Sequence, residues 1–449
     1  MKVMTTRTRR VRAAVGLGVV AALASVGLAS VSGASVPSAD PGVTAKEIKL
    51  GYISPETGVA SSISKNGIKG FEARIKAQNA AGGCNGRKIT YVTKDDGSGA
   101  GNLTAAKDLV ENEDVFAVVN QSPFAFLTYR YLLDSDVPMI GAGSDGTYYM
   151  QKGNENILSS GGNGILFGDV IYDTAAKMMK QAGAKKVAAL AYGAASSSVA
   201  SAKAFMNYAV PGVGLDPAYT NTALDFGSPD VSPAVLGIKN AGADAVYLPM
   251  AAATNIAVVQ GLQQNGVDMK ASLLATGYGQ DFLDSPAAQN FPSSAYFLDG
   301  YKPVELENDP AVKKFQADLK KYAGFTGVPD FGVYNGYILA DLFIKGCENA
   351  GKNLTRQGLV DGVHKVGKYD QAGLGCQPVD VSLEGRGHAS KTSCGWFLQV
   401  KDGKFVPFPK NGKPIVGTLV GTPEGIKQAT SGGAIEAPTT TPTTAAPAS

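Results

Sequence analysis

The sequence predicts an α/β fold with two doubly wound sheets, each mainly parallel and covered by helices on both faces. Short apolar runs typical of buried strands alternate with longer stretches whose apolar residues recur at helical spacing. This alternation occurs in two successive series. The chain has 449 residues, of which 56 are glycines that can supply turns between elements. Repeats of strand, helix and strand build parallel sheets with crossover helices.

The first series of elements ends at residue 141. Its clearest helix, at 64–83, places Ile68, Phe71 and Ile75 on one stripe, and a glycine pair ends it. The elements follow the order β-α-β-α-β-α-β. The predicted strands are 48–54, 88–96, 115–120 and 137–141, and the predicted helices are 64–83, 102–112 and 125–134.

A second series repeats the alternation and predicts a second domain. Its helices are predicted at 168–183, 198–209, 232–242 and 255–266, and its strands at 186–192, 244–250 and 271–277. Beyond a strand-like stretch at 293–303, three helices are predicted at 310–324, 335–351 and 355–367. From 375 to 409 apolar and polar residues alternate as in antiparallel strands, with Asp402-Gly403 as the hairpin turn.

The first 34 residues have the three-part layout of a secretory signal peptide. A basic start without acidic residues precedes a run of small apolar residues, and a small-residue site permits cleavage after Ala34. Arg9-Arg10 suggests a twin-arginine signal, but Arg12 lies where that signal requires apolar residues, so the general secretory route is favoured. Cleavage removes five basic residues and changes the formal charge from +3 to −2. The positive charge of the precursor is therefore no argument for nucleic-acid binding.

The four cysteines are Cys84, Cys347, Cys376 and Cys394. An even number in an exported chain favours two disulfides, for which three pairings exist. Cys376 and Cys394 flank a predicted hairpin, and closing a loop of this size stabilises a fold by roughly 3 kcal/mol. This leaves Cys84 with Cys347. A zinc site is disfavoured because no Cys-x-x-Cys spacing occurs and the chain has only two histidines, so neither metal nor cofactor is expected.

The stretch "VPMIGAGSDG" at the end of the fourth predicted strand raises two enzymatic alternatives. Gly141, Gly143 and Gly146 have the spacing of a dinucleotide fingerprint, but no helical pattern follows them. Ser144 lies in a sequence close to the nucleophile elbow of a serine hydrolase, but neither histidine falls at a predicted strand end. Both alternatives are disfavoured, and a loop that binds a ligand is preferred.

Several predicted strands end in loops of glycine and small polar residues. These loops are at 54–62, 120–124, 141–146, 192–198, 249–254 and 276–281. In doubly wound sheets, ligands bind beyond the carboxyl ends of the strands. Backbone N–H groups and hydroxyls at such ends suit recognition without chemistry, so the pattern favours a binding protein over an enzyme.

From residue 46 to about 410 the chain resembles the solute-binding proteins of ABC transporters, in the branch of the leucine/isoleucine/valine-binding proteins. The resemblance rests on the order of "IKLGYISPETG", "NGIKGFEARIKAQNAAGGCNGRKITYVTKDDGSG", "VPMIGAGSDG", "DPAVKKFQADLKKYAG" and "VKDGKFVP". It implies the type I periplasmic binding fold, in which two doubly wound, Rossmann-like lobes joined by a three-segment hinge close over a ligand. Lobe 1 then spans 46–160 plus 297–365, lobe 2 spans 161–296 plus 366–410, and 411–449 is a C-terminal extension with a disordered Pro/Thr/Ala-rich tail.

The resemblance also implies ligand-binding residues. These are Ser61, Ser62, Gln121, Ser122, Phe124, Gly143, Ser144 and Asp145 in the first lobe and Ser196, Ser197, Ala251 and Tyr278 in the second. Relatives that bind amino acids hold the carboxylate in the first lobe and pair the ammonium with an acid from the second. Here Tyr278 lies where that acid is expected, and Asp145 would repel a carboxylate. With Phe124, Met250 and Ala251 nearby, we expect an apolar or aromatic ligand, with an amino-acid-like ligand as the alternative.

Each of these residues also has a structural explanation. Phe124 and Met250 can be core at strand ends, Ser61 and Ser62 can cap the first helix, and Asp145 can tie down its own turn. We expect a monomeric, exported receptor in the periplasm or extracellular space that presents a small molecule to an ABC permease and is not an enzyme. Two alternatives stay open, namely a ligand-sensing module for a signalling partner and a secreted serine hydrolase.

Overall fold

The computed structural model describes residues 40–64, 66–141, 148–161, 169–227 and 230–431. Three sets of predictions lie outside these ranges: the signal peptide, the Pro/Thr/Ala-rich tail and the loop residues Gly143, Ser144 and Asp145. Within these ranges no helix is both long enough and apolar enough to cross a membrane.

The first lobe is built on a parallel sheet of five strands. They are Glu47–Ser54 (β1), Lys88–Asp95 (β2), Ala117–Asn120 (β3), Met139–Ile140 (β4) and Ile157–Leu158 (β5). Their order in the sheet is β2-β1-β3-β4-β5. The first four α-helices among the described residues are Ser61–Ser64 (α1), Gly67–Ala80 (α2), Asn102–Glu111 (α3) and Tyr129–Asp134 (α4). Ile48, Leu50 and Ile53 of β1 are fully buried, as expected for a strand covered on both faces.

The chain then enters the second lobe. Its strands up to residue 299 are Val170–Tyr172 (β6), Lys186–Tyr192 (β7), Asp216–Leu224 (β8), Ala245–Leu248 (β9), Ala271–Leu274 (β10) and Ala295–Asp299 (β11). Its helices are Thr174–Gln181 (α5), Ser196–Ala204 (α6), Val210–Gly212 (α7), Ser232–Asn240 (α8), Ala252–Gln264 (α9) and Gln280–Leu283 (α10). A π-helical stretch at Phe205–Ala209 joins α6 to α7.

Three further helices return to the first lobe: Pro310–Ala323 (α11), Phe331–Ala350 (α12) and Arg356–His364 (α13). α12 crosses α2 so closely that a side chain on Gly70 would collide with the backbone of Val333. The partly buried ion pair between Arg74 and Asp341, 2.8 Å from Nε to Oδ1, joins the same two helices. The disulfide between Cys84 and Cys347 then fixes the loop after α2 to α12.

The last part of the chain completes the second sheet. Lys368–Tyr369 (β12) and Val379–Asp380 (β13) form a separate antiparallel pair, and Thr392–Lys401 (β14), Lys404–Phe408 (β15) and Ile415–Gly421 (β16) precede the helix Pro423–Ser431 (α14). The second sheet has the order β6-β16-β14-β11-β10-β9-β7-β8, and β15 pairs with β14. Strands β7 to β11 are parallel, whereas β14, β15, β16 and β6 add antiparallel pairs.

The chain passes between the lobes three times, after β5, after β11 and after α13. The predicted fold class, two doubly wound lobes joined by a three-segment hinge, is therefore confirmed. The second predicted disulfide, between Cys376 and Cys394, is also present and lies in the third crossover.

The structure corrects several details of the second lobe. β6 occupies residues predicted as the start of a helix at 168–183, because they pair with β16. β8 is missing from the sequence prediction, since none of its residues is buried and no apolar run marks it. The extension predicted from residue 411 begins with β16, which buries Ile415 and Leu419 between β6 and β14. The segment from Cys376 to Cys394 is not a hairpin, because β13 pairs with β12 instead.

Candidate ligand-binding cleft

Residues that follow the carboxyl ends of strands in the two lobes contact each other across a cleft. Phe124 follows β3 in the first lobe and Phe226 follows β8 in the second, and their ring centroids are 6.2 Å apart. Val59, which follows β1, covers Gly227 of the second lobe so closely that a Cβ there would lie 3.0 Å from its Cγ1. The lobes therefore touch along this part of the cleft.

A second interlobe contact lies at the start of α10. The backbone N–H of Gln280 donates to Val328 O at 2.8 Å, and Val328 N donates to Gln280 Oε1 at 3.1 Å. Val328 belongs to the loop between α11 and α12 of the first lobe. Asn66, before α2, donates to Asp330 at 2.8 Å and to Asp281 of α10 at 3.4 Å. The lobes are thus held together at two separate places.

A cavity of about 380 Å³ lies among the three crossovers, at the hinge side of the cleft. It is lined by residues at the ends of β3, β4, β5 and β11 and by the third crossover. Its aromatic and aliphatic lining residues include Tyr172, Tyr301, Phe331 and Leu339, and its polar ones are Asn120, Gln121, Ser159, Ser160, Asn335, Gln371, Gln377, Asp380, His388, Ser390 and Ser393. A concave site at strand ends between two lobes is the expected place for a small ligand.

Gln121 is the one predicted ligand-binding residue among those that line this cavity in the described ranges. Its side chain is fixed, because Oε1 accepts from the Tyr52 hydroxyl and Nε2 donates to Gly332 O at 2.8 Å. Gly67 makes room for it, since a Cβ there would collide with the amide. Gln121 therefore joins the first strand, α2 and the start of α12 at the cavity wall.

Gly141 ends β4 at the same wall and needs to be glycine. Its φ is +97°, in the left-handed region, and a Cβ would lie 2.6 Å from Asn120 O and 2.8 Å from Leu339 Cδ1. The residues predicted to bind ligand just after it, Gly143, Ser144 and Asp145, lie outside the described ranges and stay predictions.

Ser122 is buried and holds its own loop rather than lining the cavity. Its hydroxyl donates to Asp96 Oδ2 and accepts from Phe124 N at 3.1 Å. Asp96 also accepts from Asn102 Nδ2 at 2.7 Å, and Asn102 Oδ1 accepts from Asn120 at 3.1 Å. This network orders the segment after β3 and presents Phe124 to the second lobe.

The remaining predicted residues are not at the cavity. Ser61 and Ser62 lie in α1, where Ser62 is exposed, and Ser196 and Ser197 lie in the first turn of α6. Ala251 precedes α9 and is buried together with Met250. Tyr278 is buried, donates to Glu305 Oε2 at 2.7 Å and packs on Phe405. The expectation of an apolar ligand used Met250, Ala251 and Tyr278, which are core residues here.

The sequence prediction missed Tyr301, Phe331 and Asn335, which do line the cavity. Tyr301 follows β11, and its ring stacks on Phe331 at 6.2 Å and on Tyr334 at 5.5 Å. Phe331 and Asn335 lie on the first turns of α12. Tyr301 could have been found by applying the strand-end rule to β11. The two α12 residues have no such signal, because their helix has the pattern of a core helix.

Two buried acids lie beside the second crossover. Burial raises the pKa of Asp299 to about 8, and the nearby Glu305 adds to this shift. One Asp299 oxygen accepts from Tyr301 N at 3.0 Å. Burial likewise raises the pKa of Glu305, against the hydrogen bond from Tyr278, which lowers it. Asp299 therefore mostly retains its proton at neutral pH.

The two histidines lie in different surroundings. His364 Nδ1 lies 2.9 Å from Val381 O, and Nε2 lies 3.0 Å from Glu155 O, so both ring nitrogens face carbonyl oxygens. His388 lines the cavity. No group of three His, Cys, Asp or Glu side chains in the described residues could hold a metal ion.

The family model described as periplasmic binding protein matches residues 47–404. The chain belongs to this family. A curated relative, the Leu/Ile/Val-binding protein homolog 3 of Brucella melitensis, is 29% identical over 205 residues, which are 45% of this chain and 54% of the relative. The match thus spans about half the length of that relative.

Solved structures of this family share the fold. A fatty acid ABC transporter substrate-binding protein from Thermomonospora curvata has a TM-score of 0.67 and 20% identity, covering 82% of this chain and 93% of its own. The branched-chain amino acid transporter substrate-binding protein LivJ from Streptococcus pneumoniae, in complex with isoleucine, has a TM-score of 0.66 and 20% identity. This match covers 80% of the present chain and 98% of LivJ. At this identity, the likeness concerns the fold alone.

Proposed function

We propose that this protein is an extracytoplasmic receptor that captures a small organic molecule by closure of its two lobes and delivers it to an ABC permease. The observation that carries the proposal is the cavity of about 380 Å³ among the three crossovers, lined by strand ends of both lobes. The family is one of periplasmic solute-binding proteins, which supports a location outside the cytoplasm and a role in binding rather than catalysis.

The names of the relatives support a small organic ligand and a permease partner. They include a Leu/Ile/Val-binding homologue, a fatty acid receptor and an isoleucine complex. An apolar or aromatic ligand, as expected from the sequence, draws support from Tyr301, Phe331 and Leu339 in the cavity wall. The amides and hydroxyls of the same wall favour a ligand that also carries polar groups.

The binding step is tested with the purified protein and a library of amino acids, fatty acids, aromatic acids, sugars and alcohols. Binding to the native state raises the melting temperature, and calorimetry then measures affinity. Asn335→Leu changes the cavity wall, whereas Asn349→Leu changes an exposed position on the same helix and is the control. We expect the compounds that bind to lose affinity for the Asn335→Leu variant and to keep it for the Asn349→Leu variant. An affinity that neither substitution changes would mean that the ligand binds outside this cavity.

Closure and delivery need separate measurements. Small-angle X-ray scattering should show a smaller radius of gyration with ligand than without, and cells lacking the gene should lose uptake of the radiolabelled hit. Unchanged uptake with altered transcription would favour the sensing alternative. Conversion of the hit into a product by the purified protein would favour the hydrolase alternative.

A further inference from the structure

The cavity among the crossovers has a nearly uncharged wall in the described residues. Apart from tyrosine hydroxyls, its ionisable side chains there are Asp380 and His388, and no lysine or arginine of the described chain lines it. The Asp380 carboxylate already has partners: one oxygen accepts from Lys368 Nζ at 2.7 Å, and the other accepts from Ser382 N at 3.1 Å and Ser382 Oγ at 2.6 Å. Among the described residues, a ligand in this cavity therefore meets no lysine or arginine side chain that could pair with a carboxylate.

The buried Arg386 does not line this wall. Arg386 lines a neighbouring void of about 10 Å³, which holds roughly one water molecule and no organic anion. Its Nη2 lies 3.2 Å from Glu155 Oε1, so its charge has an acidic partner. The larger cavity and this void share Ser159, Gly161 and Asp380, but Arg386 is not part of the larger wall.

The polar groups of the wall suit hydroxyl groups. Gln371 Nε2 donates to Ser160 O at 3.1 Å, and Gln377 Nε2 donates to Thr392 O at 2.7 Å, so each amide is anchored to the backbone by one donor. Each keeps a second N–H and a carbonyl oxygen. Asn335 makes no side-chain hydrogen bond within the described ranges. Amides both donate and accept, as hydroxyls do, so one hydroxyl can satisfy either atom of an amide.

The wall also offers an aromatic face. Phe331 is 43% exposed, and its ring stacks nearly parallel on Tyr301, with 22° between the planes. Tyr301 stacks in turn on Tyr334, with 15° between the planes. Phe331 and Tyr301 both line the cavity, so this aromatic group offers an apolar surface against which a saturated ring or an aromatic base can pack.

We propose that the cavity binds an uncharged ring that carries several hydroxyl groups, with the ring against Phe331 and its hydroxyls bonded to Asn335, Gln371 and Gln377. A sugar, a cyclitol and the ribose of a nucleoside share this chemistry. The inference rests on the proposed receptor function and names its ligand class. The volume of about 380 Å³ is at the lower end for small-molecule sites, which span roughly 300–1,000 Å³.

The test compares pairs of compounds that differ in charge, by calorimetry and thermal shift on the purified protein. The pairs are glucose and glucuronate, myo-inositol and its monophosphate, adenosine and its monophosphate, and benzyl alcohol and benzoate. We expect one hydroxylated neutral compound to bind and its anionic partner to bind at least roughly tenfold more weakly, because no lysine or arginine of the described wall pairs with the charge. The three hydroxylated pairs distinguish sugar, cyclitol and nucleoside.

Two variants tie the preference to the wall. Asn335→Leu and Phe331→Ala should each weaken the neutral ligand by roughly tenfold, since one loses hydrogen bonds and the other the ring contact. Asn349→Leu should leave its affinity unchanged. Phe331 is partly exposed, so Phe331→Ala is expected to leave the fold intact. This variant therefore still tests the proposal if Asn335→Leu does not fold.

The outcomes separate the two proposals. Tighter binding of glucuronate, benzoate or a free amino acid, together with closure in scattering, overturns the ligand class and retains the receptor. Binding of benzyl alcohol without any hydroxylated ring also overturns the ligand class. Absence of closure with every compound of the wider library overturns both.

Discussion

Phe124 of the first lobe and Phe226 of the second face each other across the cleft, with ring centroids 6.2 Å apart and planes inclined by 63°. Phe226 also packs on Tyr192 at 4.5 Å. Two loops distant in sequence therefore meet through one aromatic pair, which forms part of the interface that must open when a ligand enters or leaves.

Phe226→Ala should shift the protein towards the open form. It removes the aromatic contact between the lobes, and such pairs contribute about 0.5–1.5 kcal/mol beyond the area that they bury. Small-angle X-ray scattering on the variant should give a larger radius of gyration than on the wild type. Phe126→Ala is the matched control, because Phe126 is exposed and its ring contact with Phe124 lies within the first lobe. An equal effect of both variants would contradict a role specific to the interface.

Gly141→Ala should destabilise the fold more than a glycine replacement without a steric conflict. Left-handed φ in a residue with a side chain costs about 1–3 kcal/mol, and here the new Cβ also collides with Asn120 O and Leu339. Gly153 has a φ of +85° and open space around it, so Gly153→Ala reports the conformational cost alone. Denaturant unfolding should show a clearly larger loss for Gly141→Ala; equal losses would argue against the predicted collision.

Asp299 should make the stability of the protein decrease with rising pH. Its folded pKa of about 8 lies above the unfolded value of about 4, so between these values the folded state binds a proton that the unfolded state has lost. The contribution is present below pH 4 and is lost as the pH rises to about 8, with a slope of at most about 1.4 kcal/mol per pH unit. Asp299→Asn removes the ionisable group and should make the free energy of unfolding fall less steeply from pH 5 to pH 8.

The control for this pH dependence is Ser272→Ala, at another buried polar side chain, because this substitution changes no ionisable group. Its pH dependence should match that of the wild type. Parallel stability curves for Asp299→Asn and wild type would show that Asp299 is ionised in the folded protein at neutral pH.

Removal of the two disulfides should have unequal effects. Cys84–Cys347 closes a loop of 263 residues and Cys376–Cys394 one of 18. Loop-closure entropy then gives losses of about 5.6 and about 3 kcal/mol when each pair is replaced by serine. Thermal and denaturant unfolding of the two double-serine variants should show this order. The reverse order would mean that local strain or contacts near Cys376, in the cavity wall, outweigh chain entropy.

Four of the five strands in the first sheet could be predicted from the sequence, because they are apolar runs, and α2 follows from its apolar stripe. The two-residue strand β5 was not predicted. In the second lobe the signal fails where burial does not follow a repeating pattern. β8 buries none of its residues, and β6 has three residues that continue directly towards α5. β16 alternates buried and exposed residues just before a low-complexity tail, and its pairing partners are more than 240 residues away or in β14.

The residues of the candidate site could be predicted less completely than the fold. Gln121 follows from the strand-end rule, which uses sequence neighbours alone. Ser122 and Tyr278 also follow the ends of strands, but their hydroxyls donate hydrogen bonds to Asp96 and Glu305. These two acids are distant in sequence and come near only in the folded chain. Phe331 and Asn335 reach the cavity because α12 crosses α2, and a helix crossing has no local sequence signal.

The position of β16 between β6 and β14 has a consequence for how the protein is made. All five strands of the first sheet have been synthesised once residue 158 is added. The second sheet, in contrast, lacks a strand in its interior until residue 421 has been synthesised. Until then β6 and β14 present unpaired edges, which are templates for association with other chains. A premature stop codon or proteolytic cut just before residue 415 therefore leaves both edges unpaired and the shortened chain prone to aggregation.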